Sequence, residues 1–359
     1  MASTDAGRRA ARFLFRSWMR YVTAGICVVV AVSLFLVPQF RDGLHDLSLL
    51  KHIPAWWITA GAALEAVSFV AYALFTRGVL PAEGRPSFHQ LLRVDVVGAG
   101  LTHILPGGGA VASGVRFKML RDAGVRGSDA AFGSVVQGLG SAIVVCGLLL
   151  VGVMVVLPRG GGNPLYLAGG AVGAGLLVLI ALSWVLLVRA EEFSVRMLRR
   201  ATARIGHAEL IERGFQRTSE RVKELAANPR MLLWALLWSA VNWLFDAASL
   251  WVFVVAFGYR VDVGGILVAF GLANTLAILP ITPGGVGIIE GVLVPSLVGF
   301  GTPKSIALLG VLTWRVFNYW APIPAGGVAW VSLGFLGIGR RSGRGDLAPA
   351  GPAGPTPAG

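Results

Sequence analysis

Apolar residues in this chain come in long unbroken runs, not in alternation or in narrow helical stripes. Runs at 21–38, 55–76, 128–157, 165–188, 231–257 and 305–338 approach or exceed the roughly 20 residues that cross a bilayer as a helix. The last is interrupted by Pro322, Pro324 and Gly326-Gly327, which predicts a kinked or divided span. Two further apolar segments, 91–115 and 264–300, are irregular. The first contains Leu105-Pro106-Gly107-Gly108-Gly109, and the second contains Pro280-Ile281-Thr282-Pro283-Gly284-Gly285-Val286-Gly287. Proline removes a backbone donor and glycine weakens a helix, so neither segment predicts one straight span. The pattern as a whole predicts an all-α, polytopic membrane protein.

Positive residues orient such a protein, because short arginine-rich flanks stay in the cytoplasm. Arg8, Arg9, Arg12, Arg16 and Arg20 precede the first run, which makes residues 1–20 a basic cytoplasmic segment. That run ends in Val37-Pro38-Gln39-Phe40 without a small-x-small cleavage site, so it reads as an uncleaved span and not as a signal peptide. Arg77, Arg85 and Arg93 precede the first broken segment, and Arg116, Lys118, Arg121 and Arg126 follow it. Both groups favour the cytoplasm. Segment 94–115 is therefore expected to enter and leave on one side, as a re-entrant hairpin tipped by Pro106, Gly107 and Gly108. Arg340, Arg341 and Arg344 place the end of the last span inside. Segment 264–300 must then begin and end outside, as a second hairpin entering from the opposite face. The expected membrane domain, 21–338, thus holds two inverted halves at about 55–188 and 231–338. A connector at 189–230 joins them, with ten Arg and Lys against six Glu. Its apolar residues recur at helical spacing, which predicts amphipathic helices at the cytoplasmic surface or a solvated link. The Gly/Pro/Ala-rich tail at 339–359 is expected to be a disordered cytoplasmic segment.

Composition agrees. The chain has 359 residues, of which 55% are hydrophobic and only 14% charged, whereas soluble domains carry about a quarter charged residues. Mean hydropathy is +0.72. The net charge of +13 flanks apolar runs, so it reads as topology and not as a nucleic-acid surface. Cys27 and Cys146 both sit in apolar runs, which excludes a disulfide framework or a CxxC metal site. No cofactor motif appears, and the expected location is the cytoplasmic membrane.

Broken helices at matching places in inverted halves mark transporter sites. Lipid cannot satisfy unpaired backbone groups, so such backbone survives only when packed in protein or lining a wet cavity. Ionisable residues inside apolar segments are also costly, and they face a cavity or each other. Arg116 follows the first break, Glu290 follows the second, and Arg315 lies in the last run with Asn318 one turn on. Arg116 and Arg315 are the expected contacts for a lipid phosphate, with Glu290 balancing one of them or carrying a proton. The breaks themselves, Pro106, Gly107, Gly108, Pro283, Gly284 and Gly285, complete the candidate binding site. The plainer alternatives are an interfacial Arg116 and a structural Glu290–Arg315 ion pair. Asp95 reads as a local partner of Arg93. Glu65, Asn242 and Asp246 read as hydrogen-bonding groups inside the bundle, and His103 as a core histidine.

These residues carry a resemblance. Leu105-Pro106-Gly107 with Arg116 downstream, then Pro283-Gly284-Gly285-Val286-Gly287-Ile288-Ile289-Glu290, then Arg315-xx-Asn318, resemble the flippase-like transmembrane domain of lysylphosphatidylglycerol synthases over roughly 55–335. The resemblance implies translocation of lipid between leaflets, with Arg116, Pro283, Gly284, Gly285, Glu290 and Arg315 as the matching positions. In the full synthases a separate soluble domain makes the aminoacylated lipid. No such domain follows the last run, so aminoacyl transfer is not expected here, and a separate lipid-modifying enzyme is an expected partner. One departure stands out. Where the family often carries an acidic–basic pair, this chain reads Val135-Val136-Gln137-Gly138-Leu139.

Three functions compete at this level. The first is translocation of an anionic phospholipid or a lipid-linked glycan. The second is a membrane-embedded glycosyltransferase using a polyprenyl-phosphate sugar. It is disfavoured by short loops and by the lack of an Asp-x-Asp motif, and no HExxH, GxSxG or P-loop motif appears. The third is a scaffold for an envelope complex, for which buried charges and two broken hairpins are an expensive design.

Overall fold

The computed structural model describes residues 53–105, 108–159, 228–278 and 282–335, with isolated positions between 171 and 182. The basic N-terminus, the span predicted at 21–38, most of that at 165–188, the connector 189–230 and the tail lie outside the described residues. So do Pro106, Gly107, Pro280 and Ile281.

Every described element is a helix or a helical turn. The first half gives α1 (Ala55–Val79), α2 (Phe88–Ile104), α3 (Gly108–Asp122) and α4 (Gly127–Val156). The second gives α5 (Pro229–Val255), α6 (Val263–Ala277), α7 (Ile288–Gly299), α8 (Lys304–Arg315) and α9 (Pro322–Phe335). A 3-10 turn, Pro283–Gly285, lies between α6 and α7, and a π turn, Val316–Trp320, lies between α8 and α9. The run predicted at 305–338 is thus divided ahead of Pro322, whose missing N–H cannot continue the helix.

Helices α1, α4 and α5 are long and apolar enough to cross a membrane. Side chains such as Val67, Val151, Met154, Leu233, Leu237, Val328 and Trp330 point outward, an apolar exterior suited to acyl chains. The remaining helices are short. At about 1.5 Å per residue, α2 and α6 reach only about 26 and 22 Å, against a hydrocarbon core of about 30 Å.

Local signals set the helix starts. Ser87 and Gln90 close a capping box at α2, with bonds of 2.9 and 3.3 Å. Asp262 accepts the Gly265 N–H at the start of α6 (3.1 Å). Arg85, expected as a topology signal, also caps the end of α1 by donating to the carbonyls of Leu80 and Pro81.

The packing is crossed between halves. Helix α1 packs on α5, α2 on α9, and α6 on α4, while α2–α3 and α6–α7 form antiparallel pairs. At the open end of the first pair, Gly84 before α2 lies beside Gly124 after α3. At the open end of the second, Tyr259 before α6 donates to the Gly301 carbonyl after α7 (2.6 Å). Each pair therefore starts and finishes at one place. The first pair runs through a short loop into the start of α4, whereas the start of α6 touches Val155 and Val156 at the far end of α4. One apolar core gathers Leu250, Phe253, Phe270, Leu293 and Trp314. A second gathers Leu91, Val94, Leu120 and Leu333.

Candidate functional site

Three buried polar constellations lie between the helix pairs. The first centres on Arg116. This residue is 6% exposed, so it is not an interfacial arginine. Its Nε donates to Asp95 Oδ1 (2.7 Å) and its Nη2 to Thr76 Oγ1 (2.9 Å). Thr76 donates to Asp95 Oδ2 (2.7 Å) and accepts from Gln137 Nε2. Nη1 has no hydrogen-bond partner among the described residues. Asp95 is thus the partner of Arg116 and not, as its sequence neighbourhood suggested, of Arg93. Residues two apart on a helix do not face each other. Gln137, the departure from the family pattern, joins this constellation as a neutral donor.

The second constellation holds the second break. Glu290 Oε1 pairs with Arg315 Nε, and Glu290 Oε2 accepts the Gly287 N–H (2.7 Å) at the start of α7. Arg315 Nη2 donates to the Gly284 carbonyl (3.3 Å), and the guanidinium lies 4.5 Å from the centre of the Tyr319 ring. Gly284, Gly285 and Gly287 take φ values of 55°, 69° and 82°, a region in which glycine alone is unstrained. A side chain on Gly284 would also collide with the rings of Tyr319 and His103. Tyr319 donates to the His103 carbonyl (2.7 Å) at the end of α2. The two breaks therefore meet each other inside the protein, with Tyr319 between them.

The third constellation is an acid pair. Asn318 Nδ2, in the π turn, donates to Glu65 Oε1 (3.0 Å) and to both oxygens of Asp246 (3.2 Å each). Trp314 Nε1 donates to Asp246 Oδ1 (2.8 Å). Glu65 and Asp246 are 3% and 6% exposed.

A cavity of about 320 Å³ joins the first and third constellations; its wall includes Glu65, Asp95, Arg116, Gln137, Asp246 and Asn318. A second recess of about 340 Å³ is apolar, lined by Ala62, Val70, Leu92, Val96, Phe317 and Ala325. Glu65 and Phe69 belong to both walls.

The expected site residues therefore separate. Arg116 and Asn318 face the polar cavity. Glu290, Arg315, Pro283, Gly284 and Gly285 form the framework of the second break. Gly108 is buried at the start of α3, where a side chain would strike the Thr102 carbonyl. Asn242, as expected, bonds inside the bundle, to Ser68 Oγ (2.7 Å). Thr76 was not legible as a site residue, because it sits in an ordinary apolar span and meets Asp95 and Arg116 only through tertiary packing.

Membrane-length apolar helices, an apolar exterior and polar groups gathered round an inner cavity define a helical integral membrane protein. Residues 22–326 match the lysylphosphatidylglycerol synthase TM region family, and the chain belongs to that family. It is 21% identical over 325 residues to a UPF0104 membrane protein of Pyrococcus horikoshii, covering 84% of this chain and 95% of that relative. A UPF0104 membrane protein of Methanothermobacter thermautotrophicus is 22% identical over 330 residues, with 86% of this chain and 93% of the relative covered. Another from the same organism is 27% identical over 166 residues, where the match covers 44% of this chain and half of the relative's length (50%).

Proposed function

We propose that this protein moves an anionic phospholipid or a lipid-linked glycan between the leaflets of the cytoplasmic membrane. The observation that carries the reading is the amphipathic cavity. A polar chamber with Arg116 in its wall adjoins an apolar recess of similar size, and Glu65 and Phe69 line both. Both volumes fall at the lower end of the roughly 300–1,000 Å³ of small-molecule sites. A headgroup and the first part of an acyl chain are the natural occupants of such a pair.

The architecture supports the same reading. Helices α2–α3 and α6–α7 are too short to cross, their open ends lie at opposite ends of α4, and their breaks meet. We read them as two re-entrant hairpins in inverted halves, the arrangement that places a substrate at the midplane. The crossed contacts of α2 with α9 and of α6 with α4 fit an approximate two-fold relation. On this reading both termini are cytoplasmic, and a separate enzyme supplies the modified lipid.

Reconstitution tests the proposal. Purified protein in liposomes is expected to move fluorescent phosphatidylglycerol or a lipid-linked sugar between leaflets without changing it. A covalently altered product would instead make the chain a transferase, and protein-free rates with every lipid would remove the transport reading. Arg116→Gln is expected to slow movement about 10–100-fold if its charge meets the headgroup, since one charge-assisted hydrogen bond is worth about 1.5–3 kcal/mol.

A further inference from the structure

The acid pair has chemistry that lipid binding does not use. Asn318 Nδ2 reaches both carboxyls at once, at 3.0 Å from Glu65 Oε1 and 3.2 Å from each Asp246 oxygen, which holds the two acids side by side. Ionised carboxylates are acceptors only, and two of them in a buried site repel. A single proton between them removes the repulsion and makes the hydrogen bond. Glu65 Oε2 is buried and accepts no hydrogen bond among the described residues; the Ser249 hydroxyl beside Glu65 donates to the Gly61 carbonyl (3.0 Å). The pair also stands in the wall of the polar chamber, and Glu65 borders the apolar recess as well.

We propose that Glu65 and Asp246 form a proton-exchange site whose occupancy is coupled to the headgroup in the cavity. The coupling rests on the lipid-transport reading; the proton site does not. The other ionisable groups facing the pair are few. Helix α1 brings Tyr72, α2 brings Asp95 and His103, α3 brings Arg116, and α4 brings only the neutral Gln137. Arg315 approaches Asp246 from α8, already paired with Glu290. Arg116 is likewise committed to Asp95. Loss of the shared proton therefore adds a second negative charge, while the two nearest cations among the described residues, Arg116 and Arg315, each already balance another carboxylate. A phosphate headgroup is repelled by that state and admitted by the protonated one. By linkage, the headgroup in turn strengthens proton binding. No covalent bond forms or breaks: the proton comes from water on one side and returns to water on the other.

Infrared spectroscopy of the full-length protein in detergent reads the proton directly. The expected result is a protonated-carboxyl C=O band near neutral pH that shifts in heavy water and is lost in Glu65→Gln/Asp246→Asn. The wild-type band, followed through a pH titration, stands even if the variant fails to fold. Proteoliposomes with an imposed pH gradient read the coupling. With one proton per lipid, the leaflet ratio of labelled phosphatidylglycerol shifts about tenfold per pH unit. Absence of the carboxyl band overturns the proton site. A leaflet ratio set by sodium and indifferent to the pH gradient overturns the coupling. The carboxyl band without any lipid movement upholds the proton site while removing the transport reading.

Discussion

Arg116 shows why a buried charge and its partner act as a unit. Its guanidinium, Asp95, Thr76 and Gln137 hydrogen-bond to one another across four helices. Asp95→Asn strands the arginine, and loss of one partner from a buried pair costs about 3–5 kcal/mol. Thermal unfolding in detergent is expected to drop accordingly for Asp95→Asn. The double variant Arg116→Met/Asp95→Leu is expected to be less destabilised than the sum of its singles. Equal additivity would mean that the two residues do not interact in the membrane-embedded protein. Glu290 and Arg315 behave alike, but there the pair also fixes a helix start and a glycine turn. Glu290→Gln is therefore expected to loosen the second break as well as to leave a charge unpaired. Faster hydrogen exchange at the amides of 284–288 is the observable.

Between elements, close approach decides. Gly271 on α6 lies against the backbone of Leu149 on α4, and Gly100 on α2 against the Pro322 carbonyl at the start of α9. Gly152 and Gly326 make the reciprocal contacts at the same two crossings. A methyl group at Gly271 would meet backbone atoms at 2.8 Å, which cannot move aside as a side chain can. Gly100→Ala and Gly271→Ala are expected to destabilise by about 1–3 kcal/mol, the usual cost of overpacking. Gly147→Ala, with open space around it, is expected to be neutral or stabilising by up to about 1 kcal/mol. Unfolding midpoints for the three variants check the contrast. The sequence carries only a thin echo between the halves, with Gly100-Leu101 before Leu105-Pro106 and Gly271-Leu272 before Leu279-Pro280. It carried no sign that each glycine packs on the other half of the chain.

For the whole molecule, the proposed inverted arrangement makes a geometric prediction. Single cysteines at Glu83 and Asp122, at the open end of the first helix pair, are expected to react with an impermeant thiol reagent from one face of the membrane. Cysteines at Arg260 and Lys304, exposed at the open end of the second, are expected to react from the other, in a background lacking Cys27 and Cys146. Labelling of all four from one face would remove the inverted reading. The division of the last run has the same global origin. The π turn that ends α8 carries Asn318 into the cavity and Tyr319 between the two breaks.

Hydropathy alone determined that the chain is helical and membrane-embedded, because the energy of exposing or burying backbone and apolar groups in lipid depends on local composition. Local chemistry also marked the breaks, since proline and glycine act on their own turns. The partners were decided elsewhere. Asp95 met Arg116 and not Arg93, and Glu65 met Asp246 across 181 positions of sequence (246 less 65). Arg315 was held by Glu290, leaving Arg116 and Asn318 to face the cavity. Charges buried between helices are satisfied by whichever element packs against them, and helix packing is a property of the tertiary structure that no spacing along one chain encodes.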